Sequence, residues 1–210
     1  MLPGKLYADA ILVANRLTEK ALPKAIRGRV LQVFESGVDL DLWKPAPAVP
    51  ALADAPVRFA FSGWFRDLKG VRFLVAAFAE VARTEPLCEL HLVGGGELEQ
   101  ELRTQVRDAG IEDKVRFYGW VDRAEAARIL RSIDVFILPS LRECGGTAIL
   151  EALALGKPVI ATRWGGPADY VNDSCGILVE PDSEKGFIAG LASAMTRLAR
   201  SPELRASLVD

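Results

Sequence analysis

The sequence predicts an α/β fold in which a parallel β-sheet carries helices on both faces. From residue 57 to about residue 200, short apolar runs alternate with helical patterns, which is the order expected of consecutive βαβ units. The runs are continuously apolar, as in strands that are buried on both faces of a sheet. Glycine or proline turns separate the elements, and 50% of the residues are apolar, enough for a sizeable core.

The predicted strands share a richness in Val, Ile and Phe. They are residues 57–61, 90–93, 115–118, 135–138, 158–161 and 177–179. The helical patterns are residues 71–83, 98–109, 124–131, 147–155 and 184–199. Residues 202–210 begin a further helix, with proline in its first turn. We expect residues 57–210 to form one Rossmann-like domain.

The first 56 residues have a different character. Residues 10–14 and 30–34 predict two more strands, separated by a polar stretch that is compatible with a helix. Residues 45–56 are rich in Pro and Ala, the composition of a linker. We therefore expect residues 1–44 to be the end of a preceding domain. Because the chain opens near a strand and closes in an uncapped helix, we also expect it to be part of a longer protein.

The composition excludes several classes of function. With 26 Lys and Arg against 28 Asp and Glu, the net charge is −2, so the chain lacks the basic footprint of a nucleic-acid-binding protein. The single histidine, His91, excludes a site with several histidine ligands to a metal. The odd number of cysteines, Cys88, Cys144 and Cys175, and the lack of a secretory or membrane-spanning segment favour the cytoplasm.

A glycine turn predicts an anion site at the carboxyl edge of the sheet. It follows the strand at residues 135–138, and open α/β folds bind ligands at this edge. Gly145 and Gly146 open the helix that is predicted to begin at Thr147. The backbone N–H groups of Gly146, Thr147 and Ala148, together with the helix dipole, suit an anion such as a phosphate.

Two carboxylates flank this anion site. Glu143 precedes the glycines, and Glu151 lies roughly 6 Å along the axis inside the helix. Such a pair is well placed to accept hydrogen bonds from hydroxyls on both sides of a diphosphate. A nucleotide sugar has this arrangement, with ribose hydroxyls on one side and hexose hydroxyls on the other. An isolated glutamate pair is more often solvated, but Glu151 lies within the apolar residues 149–155. Because a carboxylate is costly to bury without a partner, this position favours a functional role.

A second polar loop, residues 61–70, follows the first strand of the domain. Its Arg66 and Lys69 suit a diphosphate leaving group, whose developing negative charge two cations would stabilise. On these residues alone, the alternative that both are solvent-exposed loop cations stays open.

Other features at this edge indicate structure more than chemistry. Residues 94–96 are all glycine, but the last glycine of the G-x-G-x-x-G pattern of a dinucleotide-binding turn is absent, because residues 98 and 99 are Leu and Glu. We expect His91 to be a satisfied core residue and Cys144 to be a small neighbour of Glu143. The loop at residues 164–167 either closes over a ligand or only turns the chain.

Together these motifs resemble the C-terminal, donor-binding half of a GT-B glycosyltransferase of retaining family 4, the glycosyl transferases group 1. Glu143 and Glu151 reproduce its E-x7-E signature, and the flanking PS(x)nE and EAxAxGxPVIA patterns fit as well. Residues 61–70 resemble the family's G-R-x-x-x-x-K-G loop, and residues 115–121 its vxFxGxv strand. Residues 8–44 are similar to the last unit of its N-terminal domain and the crossover between domains, with matching positions at residues 36–39 and 43–45.

The resemblance implies a nucleotide-sugar donor, UDP-, GDP- or ADP-linked, and no cofactor. It implies catalytic roles for Glu143, at the transferred sugar, and for Lys69, at the diphosphate, while Glu151 binds the ribose hydroxyls. The base would lie near Val121. The residues expected to complete the donor site are Arg66, Gly145, Gly146 and Thr147.

The reaction implied is transfer of a hexose to an acceptor hydroxyl with retention at the anomeric carbon. The leaving diphosphate would help to deprotonate the acceptor, and cations and helix N–H groups would stabilise it without an essential metal. The acceptor, a sugar or lipid, would bind through an N-terminal domain absent from this chain, and the full-length enzyme would be compatible with peripheral membrane contact. We therefore expect this chain alone to bind nucleotide but to transfer little.

The sequence departs from the family pattern at two places. Trp64 stands where the family has arginine, so we expect Arg66 to substitute, and Cys144 with Gly145 replaces the usual Phe-Gly. Two alternatives stay open: a non-catalytic module that binds a nucleotide diphosphate, and another GT-B enzyme such as a nucleotide-sugar epimerase. An NAD-dependent reductase is disfavoured because no acidic residue ends the strand at residues 115–118.

Overall fold

The structure of the chain, a computed structural model, describes residues 2–33, 36–45 and 55–209. In chain order, its strands are β1 (Ala10–Val13), β2 (Arg29–Gln32), β3 (Val57–Ser62), β4 (Cys88–Val93), β5 (Val115–Gly119), β6 (Val135–Leu138), β7 (Val159–Thr162) and β8 (Gly176–Val179). Its α-helices are α1 (Leu2–Leu6), α2 (Arg16–Lys20), α3 (Val71–Thr84), α4 (Glu99–Asp108), α5 (Arg123–Arg131), α6 (Thr147–Ala154), α7 (Pro167–Tyr170), α8 (Glu184–Arg200) and α9 (Pro202–Ser207).

The predicted fold class is confirmed. Strands β3 to β8 form a six-stranded sheet in the order β5-β4-β3-β6-β7-β8, and every neighbouring pair is parallel. Every residue of β6 and β7 is buried, as expected when helices cover both faces of a sheet. On one face α3 packs against α8, where the rings of Phe73 and Phe187 meet edge to face at 5.8 Å.

The predicted strand at residues 90–93 is longer in the structure, since β4 begins at Cys88. Glu89 interrupts the apolar pattern, but its carboxylate is held by the Arg58 and Arg116 guanidinium groups at 3.9 and 3.3 Å. Cys88 before it is buried. A charged residue with cationic partners thus extends the strand beyond its apolar run.

The N-terminal part contains a separate, two-stranded sheet. Strands β1 and β2 pair in parallel, close to the predicted residues 10–14 and 30–34, although Phe34 lies outside the described residues. Most of the predicted linker, residues 46–54, lies outside them as well. Trp43 is buried in the main core, and the Arg131 guanidinium donates to the carbonyl of Lys44 at 3.1 Å.

None of the helices in the described ranges has the length and apolar composition needed to cross a membrane.

Candidate functional site

The topology of the sheet places a cleft between the ends of β3 and β6. The chain proceeds from β3 to β4 and β5 on one side and then returns to build β6, β7 and β8 on the other. In open α/β sheets, ligands bind at the carboxyl ends of the strands where the order reverses in this way. A cavity of about 370 Å³ lies there. The predicted site residues that line it are Lys69, Glu143, Gly145, Gly146, Thr147 and Glu151.

The glycine turn opens α6 at Thr147, the residue at which the sequence predicts this helix to begin. Gly146 is the N-cap of α6, with a φ of 64°, a left-handed conformation that favours glycine. A Cβ at this position would also lie 2.5 Å from the Tyr170 hydroxyl. The first hydrogen bond of the helix runs from the Ile149 N–H to the Gly146 carbonyl at 2.8 Å. The N–H groups of Thr147 and Ala148 precede it, as is general at a helix N-terminus.

Tyr170 orients the peptide groups of this turn. Its hydroxyl donates to the carbonyl of Gly145 and, at 3.2 Å, to that of Gly146. In a trans peptide the N–H points opposite to the carbonyl, so the N–H groups of Gly146 and Thr147 point away from Tyr170. Burial raises the pKa of Tyr170, and the nearby Glu143 adds to that shift. The hydroxyl therefore keeps the proton that it donates.

An ion pair joins the two polar loops of the cleft. The Lys69 Nζ lies 2.7 Å from the Glu143 Oε2, and the buried Ser140 Oγ donates to the same oxygen at 3.0 Å. The backbone aligns the two loops, because the Leu141 N–H donates to the Leu68 carbonyl at 2.8 Å. Glu143 is thus held against a cation with which the sequence analysis did not pair it.

Glu151 lies in a different electrostatic environment from Glu143. It is half-buried on α6, and this burial raises the pKa of its carboxyl, while the charge of Arg123 lowers it. A desolvated carboxylate gains more from a hydrogen-bond donor than a solvated one. The position therefore suits the recognition of a ligand hydroxyl.

Two predicted site residues, Arg66 and Val121, lie outside the residues that line the cavity. The Arg66 guanidinium is 4.5 Å from the ring centroid of Trp64, and its Nε lies 4.0 Å from the Glu97 Oε2. Val121 is half-buried after the end of β5. The cavity wall at this end is formed instead by Trp64.

The loop at residues 164–167 packs against the backbone of Glu143 and Cys144. The Gly166 N–H donates to the Cys144 carbonyl at 3.0 Å. A Cβ at Gly165, where φ is 65°, would collide with the carbonyl oxygen of Glu143. The structure thus gives this loop a supporting role beneath Glu143.

Residues of the N-terminal part reach the same edge. The side chain of Asn15, which is 2% exposed, donates to the Cys144 carbonyl at 3.2 Å. The Ser36 and Thr147 hydroxyls lie 2.8 Å apart. The contacts of Asn15 and Ser36 were not predicted, because such bonds join positions more than a hundred residues apart.

His91 is the satisfied core residue that the sequence predicts. It is buried, with its Nε2 at 3.1 Å from the Glu89 Oε2 and its Nδ1 at 2.9 Å from the Tyr118 hydroxyl. Burial lowers the pKa of its imidazole, against the effect of Glu89. Across the part of the chain that the structure describes, no three His, Cys, Asp or Glu side chains are grouped so as to hold a metal ion.

A cleft at the switch point of the sheet, beside a glycine turn that opens a helix, is typical of α/β domains that bind ligands. Residues 56–199 match the family Glycosyl transferases group 1. This match covers more than half of the chain, and the chain belongs to that family.

Several known proteins are similar to this chain. The lipopolysaccharide core biosynthesis glycosyltransferase LpsE of Rhizobium meliloti is 35% identical over 207 residues, which cover 94% of this chain and 54% of LpsE. This chain spans about half the length of the curated relatives it matches.

Solved structures confirm the expected C-terminal half of a GT-B fold. The C-terminal domain of LpcC, a group 1 family protein of Francisella tularensis, is 26% identical, with a TM-score of 0.71 over 83% of this chain and 93% of that domain. HepE of Anabaena, solved in complex with UDP and glucose, has a TM-score of 0.78 and 21% identity, over 99% of this chain and 58% of HepE. The likeness to HepE concerns the fold alone.

Proposed function

We propose that this chain is the donor-binding part of a retaining glycosyltransferase that transfers a hexose from a nucleotide-diphosphate sugar to an acceptor hydroxyl. One observation carries the proposal: a single cleft combines the N-terminus of α6, the cation of Lys69 and the two carboxylates Glu143 and Glu151. This set matches the alternation of hydroxyls and phosphates along a nucleotide sugar. Membership of the family and the glycosyltransferase relatives support it.

Each group has a role that its environment suits. The N–H groups of Gly146 and Thr147 and the Lys69 ammonium bind the diphosphate. Glu151 accepts hydrogen bonds from the ribose hydroxyls. Within the described residues, the donors to Glu143 converge on Oε2, which leaves Oε1 for a hydroxyl of the transferred sugar.

The transfer itself exchanges one bond at the anomeric carbon. The bond to the β-phosphate oxygen breaks while the acceptor oxygen bonds on the same face, and the acceptor proton passes to the leaving diphosphate. Negative charge grows on the diphosphate during this step, and Lys69 and the helix N–H groups stabilise it there. Arg66 and Val121 remain proposed donor contacts. Because neither residue lines the cavity, these contacts require that the side chains move or that the bound donor extends beyond the cavity.

The acceptor, a sugar or lipid, binds in our proposal to a part of the protein outside this chain. The active site is then incomplete here, and this chain alone transfers little. We place the reaction in the cytoplasm, which the odd number of cysteines favours.

The first test is calorimetric titration of this chain with UDP, GDP and ADP. We expect one nucleotide to bind selectively and Glu151→Ala to weaken its binding by about 1–3 kcal/mol, as for the loss of a half-buried hydrogen-bond partner. Glu101→Ala, an exposed position on α4, is the matched control and should leave binding unchanged. Failure of all three nucleotides to bind would contradict the proposed donor site.

A transfer assay separates the proposal from its alternatives. The complete natural protein should form a glycosidic product from the selected nucleotide sugar only when an acceptor is added, and product stereochemistry reports retention. Robust transfer by this chain alone would contradict the proposal that the acceptor binds to a part of the protein outside this chain. Binding without transfer would indicate a non-catalytic module, and inversion of a sugar centre without an acceptor would indicate an epimerase.

A further inference from the structure

Two of the four tryptophans of the chain lie exposed beside the cleft. Trp64 is 50% exposed and Trp120 is 59% exposed. Their centroids are 4.7 Å apart with the ring planes at 68°, an edge-to-face arrangement. Adjoining exposed aromatic rings on a folded protein commonly mark a binding surface.

The backbone fixes both rings in place. Trp64 follows β3 and Trp120 follows β5, and the glycine turn after β4 lies between them. The Gly94 N–H donates to the Gly119 carbonyl at 2.9 Å, and the Gly95 carbonyl accepts from the Phe65 N–H at 2.9 Å. A Cβ at Gly95 would lie 2.8 Å from the Trp120 Nε1. The three-glycine turn, which we predicted to be structural, is therefore what lets the indole of Trp120 pack closely.

The pair continues one wall of the cleft. Trp64 lines the cavity together with Lys69 and the residues of the anion-binding turn, and Trp120 extends this wall toward β5. The Arg66 guanidinium lies 4.5 Å from the centroid of Trp64. The wall therefore offers aromatic surface flanked by a planar cation, and Arg66 belongs to this surface.

We propose that Trp64 and Trp120 form the surface on which the base of a nucleoside diphosphate stacks. The inference rests on the proposed function and deepens it, because it assigns recognition of the base to two named side chains. The helix N–H groups and Lys69 bind phosphate, which every nucleotide shares. A planar aromatic ligand is what an indole wall recognises, and base stacking on such rings does not require a particular base.

This assignment also explains the departure at position 64. The family pattern that residues 61–70 resemble implies arginine there, which suits phosphate, whereas this chain has tryptophan. The exchange moves part of the binding free energy from the diphosphate to the base. The site should therefore prefer a nucleoside diphosphate to inorganic diphosphate by more than the ribose contact to Glu151 alone provides.

The experiment compares nucleoside diphosphates with inorganic diphosphate by calorimetry. Wild type, Trp64→Leu and Trp120→Leu are titrated with UDP, GDP, ADP and inorganic diphosphate. Each leucine variant should bind the preferred nucleotide about 5- to 150-fold more weakly, which corresponds to about 1–3 kcal/mol per stacked base. Its affinity for inorganic diphosphate should stay unchanged. Trp64→Phe keeps an aromatic face and should retain most of the affinity.

The control is Tyr7→Leu, which removes another exposed aromatic ring, 79% exposed and outside the cleft, and should change nothing. If wild type binds a nucleotide and both leucine variants bind it equally well, the stacking proposal is overturned while the proposed function stands; the pair would then serve another surface. Equal loss of nucleotide and inorganic diphosphate would also overturn it. If wild type binds no nucleoside diphosphate, the proposed function and this inference fail together.

Discussion

The two parallel sheets of this chain are stabilised in different ways. In the six-stranded sheet, β6 and β7 are buried at every residue. In the two-stranded sheet, only Val13 is fully buried, while Leu12 and Leu31 are 65% and 44% exposed. Short apolar runs thus form strands in both places, but only one of the sheets encloses a core.

The smaller sheet is attached to the larger unit by polar contacts near the cleft. Beside the Asn15–Cys144 and Ser36–Thr147 bonds, the Arg16 N–H donates to the Asp169 Oδ2 at 2.8 Å. The comparison teaches that the small sheet and α2 contribute polar contacts near Glu143 more than buried apolar surface, whereas Trp43 of the same N-terminal part packs into the main core.

The largest effect should come from the core of the six-stranded sheet. Phe136 on β6 is fully buried, and Phe136→Ala should lower the free energy of unfolding by about 3–5 kcal/mol through lost burial and a cavity. Leu31→Ala in the smaller sheet should cost no more than about 0.5 kcal/mol. Denaturant unfolding measures both, and equal losses would contradict the comparison.

A glycine pair tests the support beneath Glu143. Gly165→Ala and Gly110→Ala both place a side chain in the left-handed region, with φ of 65° and 67°, at about 1–2 kcal/mol each. Only the Cβ at Gly165 meets the Glu143 carbonyl, whereas that at Gly110 meets open space. Gly165→Ala should therefore cost a further penalty of about 1–3 kcal/mol and weaken nucleotide binding. Equal effects of the two variants on both measurements would argue against the supporting role.

A smaller effect than that of Gly165→Ala should come from the attachment of the N-terminal part. Asn15→Ala removes the cap of α2, where its Oδ1 accepts from the Thr18 N–H at 2.8 Å, at a cost of about 1 kcal/mol. It also removes one of two donors to the Cys144 carbonyl, while the Gly166 N–H remains bound there, so amide exchange at Gly145 and Gly146 should become faster. Ser183→Ala, which removes the cap of α8, is the matched control. Unchanged exchange at the glycines in Asn15→Ala would show that the attachment does not order the turn.

Much of the fold could be predicted because strands that are buried on both faces are continuously apolar, a pattern that is visible in the sequence. The strands of the main sheet were predicted nearly to the residue, since apolar runs and two-sided burial coincide there. The short helix α7 was not predicted, because four residues show no helical period. The first two residues of β4, Cys88 and Glu89, were not predicted, because the charged Glu89 interrupts the apolar run. The cations that stabilise Glu89 come from the adjacent strands and cannot be recognised from the local sequence.

The site was predictable where it depends on local spacing. The glycine turn and the separation of Glu143 from Glu151 place these groups on one helix and the loop before it. The pairing of Lys69 with Glu143 and the bonds from Tyr170 depend on how distant segments pack, which spacing along the chain does not encode. The orientation of the Arg66 side chain, toward the Trp64 ring and the Glu97 carboxylate, also depends on the folded conformation of these loops, so it was not predicted.

The ion pair between Lys69 and Glu143 has a consequence for turnover. Glu143 is a counter-charge supplied from within the chain, so it competes with a phosphate for the ammonium of Lys69. In our proposal an incoming donor has to loosen this contact, which lowers the net affinity of the donor, and re-formation of the contact favours departure of the diphosphate product. The carboxylate that contacts the sugar in our proposal would thereby also shorten the residence time of the spent nucleotide.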